Sequence, residues 1–271
     1  MRAIVIHAPH DLRVDAIEDL STPPGPGEVR VKMAAGGICG SDLHYYHEGG
    51  FGVVRVKEPM ALGHEASGRV EALGEGVSGL RIGDLVAVNP SVPCNTCEYC
   101  RRGMRNHCTD MRFNGSAMRF PHVQGMFRER MQVTAERLFV MPEGIAAEEA
   151  ALCEPLSVVL HAANQAGDLS GRKVLVSGCG PIGVIAVAVA KLRGAAHVVA
   201  TDITPHSLLV AEKLGADDVI NVATDSARLA RYAEGKGQID VVFECSGAQP
   251  AVAAAVSVLR PKGRMVLVGL G

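Results

Sequence analysis

Residues Val174-Leu175-Val176-Ser177-Gly178-Cys179-Gly180-Pro181-Ile182-Gly183 carry an apolar strand into G-x-G-x-x-G and on into an apolar helix. No other stretch of the chain limits its fold as tightly, because each glycine has its own task. Gly178 makes the tight turn, Gly180 leaves room for a pyrophosphate against the backbone, and Gly183 lets helix pack on strand. With Pro181 and Ile182 these form a candidate cofactor-binding turn, whose helix N-terminus offers N–H groups and a favourable dipole to phosphate. A second strand, Val198 to Asp202, ends in an acid 24 positions after Gly178. A carboxylate there accepts hydrogen bonds from the adenosine ribose and repels a 2′-phosphate, so the pattern predicts NAD in preference to NADP. Asp202 would also serve as an N-cap for a helix beginning near Pro205.

The surrounding texture fits. From about residue 155, strand-like runs alternate with helical ones, which predicts a doubly wound parallel sheet of Rossmann type over 151–271. Pro155 suits the first turn of a connecting helix that would end near Gly167. Cys245-Ser246-Gly247 and Val268-Gly269-Leu270-Gly271 fall at carboxyl ends of later strands, where Val268 is a candidate for lining the nicotinamide site. Over 1–150 the apolar runs are short and separated by Pro/Gly turns, so that half reads as a mostly β domain. The chain is thus α/β with two domains. Its 27 Lys+Arg against 29 Asp+Glu give a net charge of −2, which leaves no basic field for nucleic acid. The apolar run Val184 to Ala190 stops at Lys191, far short of the roughly 20 residues a membrane span needs. Met1 to His7 reads as a first strand rather than a signal peptide, giving an expectation of a cytoplasmic protein.

Eight cysteines in a chain this long and apolar point to metal more than to a disulfide framework. Cys94-x2-Cys97-x2-Cys100-x7-Cys108 would close a tetrahedral zinc site with no open position, hence a structural one. The same four thiolates would also suit a [4Fe–4S] cluster. A separate set, Cys39, His64, Glu65 and Glu154, offers a thiolate, an imidazole and carboxylates. That mixture fits a catalytic zinc, which keeps one coordination position for water or substrate.

Gly63-His64-Glu65-x2-Gly68-x5-Gly74-x2-Val77 and Gly37-Ile38-Cys39-Gly40-Ser41-Asp42-Leu43-His44 resemble the zinc and first-ligand signatures of the zinc-dependent medium-chain alcohol dehydrogenases. With the cysteine loop and the glycine fingerprint in family order, the resemblance covers essentially the whole chain. Cys39 to Tyr46 and Cys153-Glu154-Pro155-Leu156 are similar to the polyol branch, which includes sorbitol dehydrogenases. Segments around Asn89, Cys108 to Phe113 and Gly115 to Val123 are most similar to members that interconvert a hexonate and its 5-keto acid.

The resemblance implies a GroES-like catalytic domain, two zinc ions per chain, NAD and an aldonate or polyol substrate. It implies Cys39 and His64 as zinc ligands, with either Glu65 or Glu154 as the carboxylate. It also implies that zinc, as a Lewis acid, lowers the pKa of the substrate hydroxyl so that hydride can pass to the nicotinamide. Ser41 matches a proton-relay position that His44 would continue. Candidate substrate contacts are Tyr45, Phe113 and two arginines, Arg112 and Arg119, whose guanidinium would suit the carboxylate of a hexonate. L-threonine, sorbitol, xylitol or a simple alcohol are alternative substrates, and a non-catalytic NAD-binding protein is the alternative of a different class. Family members continue beyond the position of Gly271 with a sixth sheet strand, so the nucleotide-binding domain reads as truncated, and a dimer or tetramer is expected where that tail is present.

Overall fold

The computed structural model describes residues 1–269, which excludes Leu270 and Gly271 from the candidate strand-end segment. Two compact units divide between Glu154 and Pro155. In the first, five strands lie in the order Arg130–Thr134, Glu28–Gly37, Glu65–Leu73, Leu85–Val88 and Leu138–Val140, each antiparallel to its neighbour. Alternation sets their faces: Val29 and Val31 are fully buried, whereas Arg30 and Lys32 are not sealed in the same core. Val70, Val86, Val88, Met131 and Val133 pack on the same side. Each buried valine or methionine contributes about 1.5–3 kcal/mol relative to exposure. Gly68 is required where two strands draw close, since a Cβ there would lie 2.5 Å from the Lys32 carbonyl oxygen. A smaller sheet joins Asp11–Ala16, Arg2–Ala8 and Met60–Ala61.

The second unit holds the parallel sheet. Its order is Asp218–Asn221, His197–Asp202, Lys173–Ser177, Ile239–Glu244 and Leu259–Leu267. The helices Pro181–Leu192, Pro205–Lys213 and Gln249–Val258 each carry proline in the first turn, where a missing N–H costs nothing. Cys153–Ala166 is helical as well, and Gly167 follows it at φ +88°. Strand order reverses between Lys173–Ser177 and Ile239–Glu244, the place where open α/β sheets bind ligands beyond their carboxyl ends. The edge strand Asp218–Asn221 was not foreseen from the sequence: only Val219 and Ile220 are apolar, too few for a period to register. No helix among the described residues is long and apolar enough to cross a membrane.

Candidate active site and nucleotide cradle

The strand Glu28–Gly37 ends two residues before Cys39, and its last residue stands opposite Glu65 in the ladder. That pairing brings together segments nearly thirty residues apart in sequence. Cys39 is the N-cap of the helix Gly40–Glu48, and the Asp42 carboxylate accepts its backbone N–H at 3.0 Å, as in a capping box. His64 and Glu65 are buried, and one donor atom from each of Cys39, His64 and Glu65 lies within 4.8 Å of the others. Gly63 adopts φ +92°, and a Cβ on it would meet the Phe127 ring at 2.3 Å. The histidine is therefore presented by a turn that only glycine permits.

Electrostatics at this cluster are one-sided. Burial pushes the Cys39 thiol up, with the Glu65 and Asp42 charges adding to it, while the Ser41 N–H and hydroxyl pull the other way. Burial also raises Asp42, Glu65 and Glu154; His64 opposes in all three, and neighbouring carboxylates add to the last two. Four acidic groups thus converge on one imidazole. Nδ1 of His64 is buried without a hydrogen-bond partner, and so is Oδ1 of Asp42. An orphaned imidazole nitrogen within a soft and hard donor set fits a divalent cation, which would relieve both the repulsion and the unmet lone pair. Glu154 lies outside the close set of three donors but within the field of His64 and Glu65.

The other expected contacts separate. Phe113 reaches the cluster, its ring centroid 5.4 Å from that of His64. Arg112, the preceding residue of the same two-residue strand, is exposed. Arg119 is occupied: Nε donates to the Met111 carbonyl at 2.8 Å and a second nitrogen to the Asp110 carboxylate. Tyr45 is 1% exposed and its hydroxyl accepts the Ala117 N–H at 3.1 Å, which makes it core in this structure. His44 lies on the surface of its helix, 3.7 Å from Glu48. Asp42 escaped the sequence reading, although Cys39-x-x-Asp42 has capping-box spacing.

In the second zinc signature, Cys94, Cys97, Cys100 and Cys108 bring their sulfurs within 4.8 Å of one another. Backbone N–H groups point at the sulfurs: Cys94 donates to Cys108 at 3.2 Å, Cys97 to Cys94 at 3.3 Å and Asp110 to Cys108 at 3.3 Å. Backbone donors from Cys100 and Thr109 pull the Cys97 thiol down to about 6, whereas burial and the adjacent thiols push Cys100 up to about 12. All eight cysteines are free thiols in the structure. The donor set fits a closed tetrahedral metal site.

At the sheet switch point, Gly178 turns at φ +88°, and a Cβ on it would lie 2.8 Å from Ser246. A Cβ on Gly183 would come 1.8 Å from the Gly178 carbonyl oxygen, but one on Gly180 would meet nothing within 4 Å. Gly180 is the N-cap of the helix and supplies no side-chain cap, so the first N–H groups keep their capacity for an anion. Ile182 packs against the core while Pro181 is exposed. Asp202 holds the turn itself, accepting the N–H of Cys179 and of Thr204, each at 2.7 Å. The N-cap of the following helix is Thr204 rather than Asp202. Glu244, 1% exposed and missed in the sequence, accepts the N–H groups of Ser246 and Gly247 at 3.0 Å and fixes the facing loop. Val268 is tied to the same strand end through the Glu244 carbonyl at 2.8 Å. An apolar cavity of about 460 Å³ opens beside these strand ends, lined by Thr201, Ile203, Val222, Ala248, Pro250 and Ala251 among others.

Comparison with known proteins agrees with this geometry. Residues 25–143 match the alcohol dehydrogenase GroES-like domain and residues 181–271 the zinc-binding dehydrogenase domain. L-idonate 5-dehydrogenase (NAD(P)(+)) of Escherichia coli is 45% identical over 241 residues, covering 89% of this chain and 69% of that protein. Human sorbitol dehydrogenase is 41% identical, covering 99% of this chain and 74% of its own length. The crystal structure of the Escherichia coli L-idonate enzyme superposes with a TM-score of 0.92 at 41% identity, across 100% of this chain and 76% of that one. The chain belongs to the zinc-dependent alcohol dehydrogenase family, with a GroES-like domain followed by a Rossmann-type sheet.

Proposed function

We propose that the protein oxidises a secondary hydroxyl of a polyol or aldonate with NAD, and that L-idonate, reacting at C5, is its substrate. The convergence of Cys39, His64 and Glu65 donors within 4.8 Å, with His64 Nδ1 unpartnered, carries this reading. Cys39 and His64 would hold the catalytic zinc, with Glu65 nearer to them than Glu154 is. The four-cysteine loop would hold a structural zinc. When bound, the catalytic zinc supplies Lewis-acid polarisation of the substrate hydroxyl.

The chain's own residues do the rest. The Ser41 hydroxyl lies against Cys39 and is placed to accept the proton leaving the substrate. His44, three residues on along the same helix face and 36% exposed at its side chain, hands that proton to solvent. Phe113, packed on the His64 ring, walls the site against water. For the cofactor, Gly180 and the uncapped helix start receive the pyrophosphate, Asp202 the adenosine ribose, and the apolar cavity by Ile203 the adenine.

One observation favours a second reading, a neutral polyol such as D-sorbitol. Arg119 is engaged by Met111 and Asp110, which takes up the guanidinium fork that would hold a hexonate carboxylate. Metal analysis combined with NAD reduction on L-idonate, D-sorbitol and L-threonine tests both. The expected result is about two zinc ions per chain, with turnover greatest on L-idonate and abolished by His64→Ala. Iron in place of zinc, or turnover indifferent to His64→Ala, would overturn the reading, and preference for D-sorbitol would favour the second.

A further inference from the structure

Between the four-cysteine loop and the antiparallel sheet lies a cavity of about 370 Å³, of mixed polar and apolar lining, that none of the chemistry above uses. Its walls include Asn89, Ser91, Asn95, Asn106, Thr134 and Arg137. None of the seven candidate zinc donors in the two close sets is among them. Arg137 immediately precedes the strand Leu138–Val140. Its Nε donates to the Asn89 carbonyl at 2.9 Å and a terminal nitrogen donates to Asn114 Oδ1. Both acceptors are neutral. Glu136 and Arg105 also line the cavity, and there they pair with each other at 3.7 Å, so the one wall carboxylate is matched by a cation other than Arg137. Burial lowers the Arg137 guanidinium to about 10 against the opposing pull of Glu136, as expected of a cation that has lost water without gaining an anion. A guanidinium has five N–H donors, and the two bonds described leave others for whatever enters the cavity. The rest of the wall combines the Asn89, Asn95 and Asn106 amides and the Ser91 and Thr134 hydroxyls, which donate and accept and are matched to a ligand rich in hydroxyls, with apolar Val92, Pro93 and Met111.

We infer that this cavity binds a small hydroxylated carboxylate, with its carboxyl group on Arg137 and its hydroxyls on the surrounding amide and hydroxyl side chains. The site is regulatory in its placement. Ser91, in its wall, pairs in register with Phe113 on the neighbouring strand, and the Phe113 ring rests on His64. Asn114, next in sequence, is itself held by Arg137. A ligand drawing Arg137 inward would therefore bias the position of Phe113, and through it the entrance to the proposed zinc site. The inference goes beyond the proposed activity and does not require it.

Calorimetric titration of the zinc-loaded protein with D-gluconate, D-sorbitol and inorganic phosphate tests this site. The expected result is a gluconate-binding component that survives His64→Ala and is weakened about tenfold or more by Arg137→Lys, which keeps the charge but loses the fork. Because Arg137 also braces Asn89 and Asn114, Asn106→Asp on the exposed helical turn Arg105–His107 provides an independent variant: it adds a negative charge to the wall, and should weaken gluconate by about tenfold with sorbitol unaffected. Phosphate binding without gluconate binding, equal binding of sorbitol, or a gluconate component indifferent to Asn106→Asp would each overturn the inference. Absence of turnover on every substrate, with that component intact, would count against the proposed function alone.

Discussion

Gly37 stands opposite Glu65 in the antiparallel ladder, and a Cβ on Gly37 would lie 2.1 Å from Glu65 Oε2. The acidic member of the candidate metal set is thus housed in the space left by a missing side chain. Gly37→Ala should displace the Glu65 carboxylate while leaving the four-cysteine site untouched. Metal analysis after dialysis should then find about one zinc per chain rather than two, with the thermal transition nearly unchanged. Retention of both metals would show that Glu65 has no part in holding the second.

The fingerprint glycines make opposite predictions for a single added methyl group. At Gly183 the new Cβ would press on the Gly178 carbonyl oxygen at 1.8 Å, so Gly183→Ala should destabilise the fold by about 1–3 kcal/mol. At Gly180 it meets nothing within 4 Å, so Gly180→Ala should melt like the parent but bind NAD about tenfold more weakly, the methyl occupying pyrophosphate space. Denaturant midpoints and NADH fluorescence titrations on both variants separate the two roles, and a stable Gly183→Ala protein would contradict the packing described.

Much of the nucleotide-binding sheet was legible because its signals are local. Lys173–Ser177, Pro181–Leu192 and His197–Asp202 have the bounds their sequence suggests, set by glycine turns, a helix-starting proline and short valine-rich runs. Asp218–Asn221 was not legible, since it exists by register with His197–Asp202, Val219 beside Ala200 and Ile220 beside Thr201. The same distinction holds at the candidate site. Cys39 and His64 stand out as residue types, but that Asp42 is buried while accepting the Cys39 N–H, and that Arg119 is taken up by Asp110, depends on how the chain folds back on itself. Glu244 reads as one acid among many until its burial and its two backbone donors are seen.

Asp217 links stability to pH away from any proposed metal. Burial alone would raise its carboxyl, but the Val198 N–H at 2.7 Å and the Lys191 ammonium at 3.0 Å outweigh that and hold it below the ordinary aspartate range. A depressed folded-state value means that the unfolded chain takes up the proton first. The stabilisation is therefore complete above the ordinary aspartate range and is lost as pH falls through and below it. With the side chain 33% exposed, screening limits the effect to about 1 kcal/mol. Asp217→Asn should lower the melting temperature at pH 7 but lose most of that difference near pH 3. A difference that stays constant across the range would remove Asp217 as its source.

Asp202 serves two masters, and its replacement should reveal both. Its carboxylate braces the turn through Cys179 and Thr204, each at 2.7 Å, and it is also the group proposed to accept the ribose hydroxyls. Asp202→Ala removes the negative charge that a 2′-phosphate would face, so the ratio of NADP to NAD dissociation constants should move toward unity. It also frees the fingerprint turn, so NAD itself should bind about tenfold more weakly even where the ribose contact contributes little. Asp202→Asn retains one carbonyl acceptor for the turn while losing the charge, and should recover part of the NAD affinity without recovering discrimination. Titrations of parent and both variants with each cofactor at fixed moderate salt decide the matter. If the parent already binds NADP as tightly as NAD, or if the ratio is the same in all three proteins, selectivity resides in some other group and Asp202 acts on the turn alone.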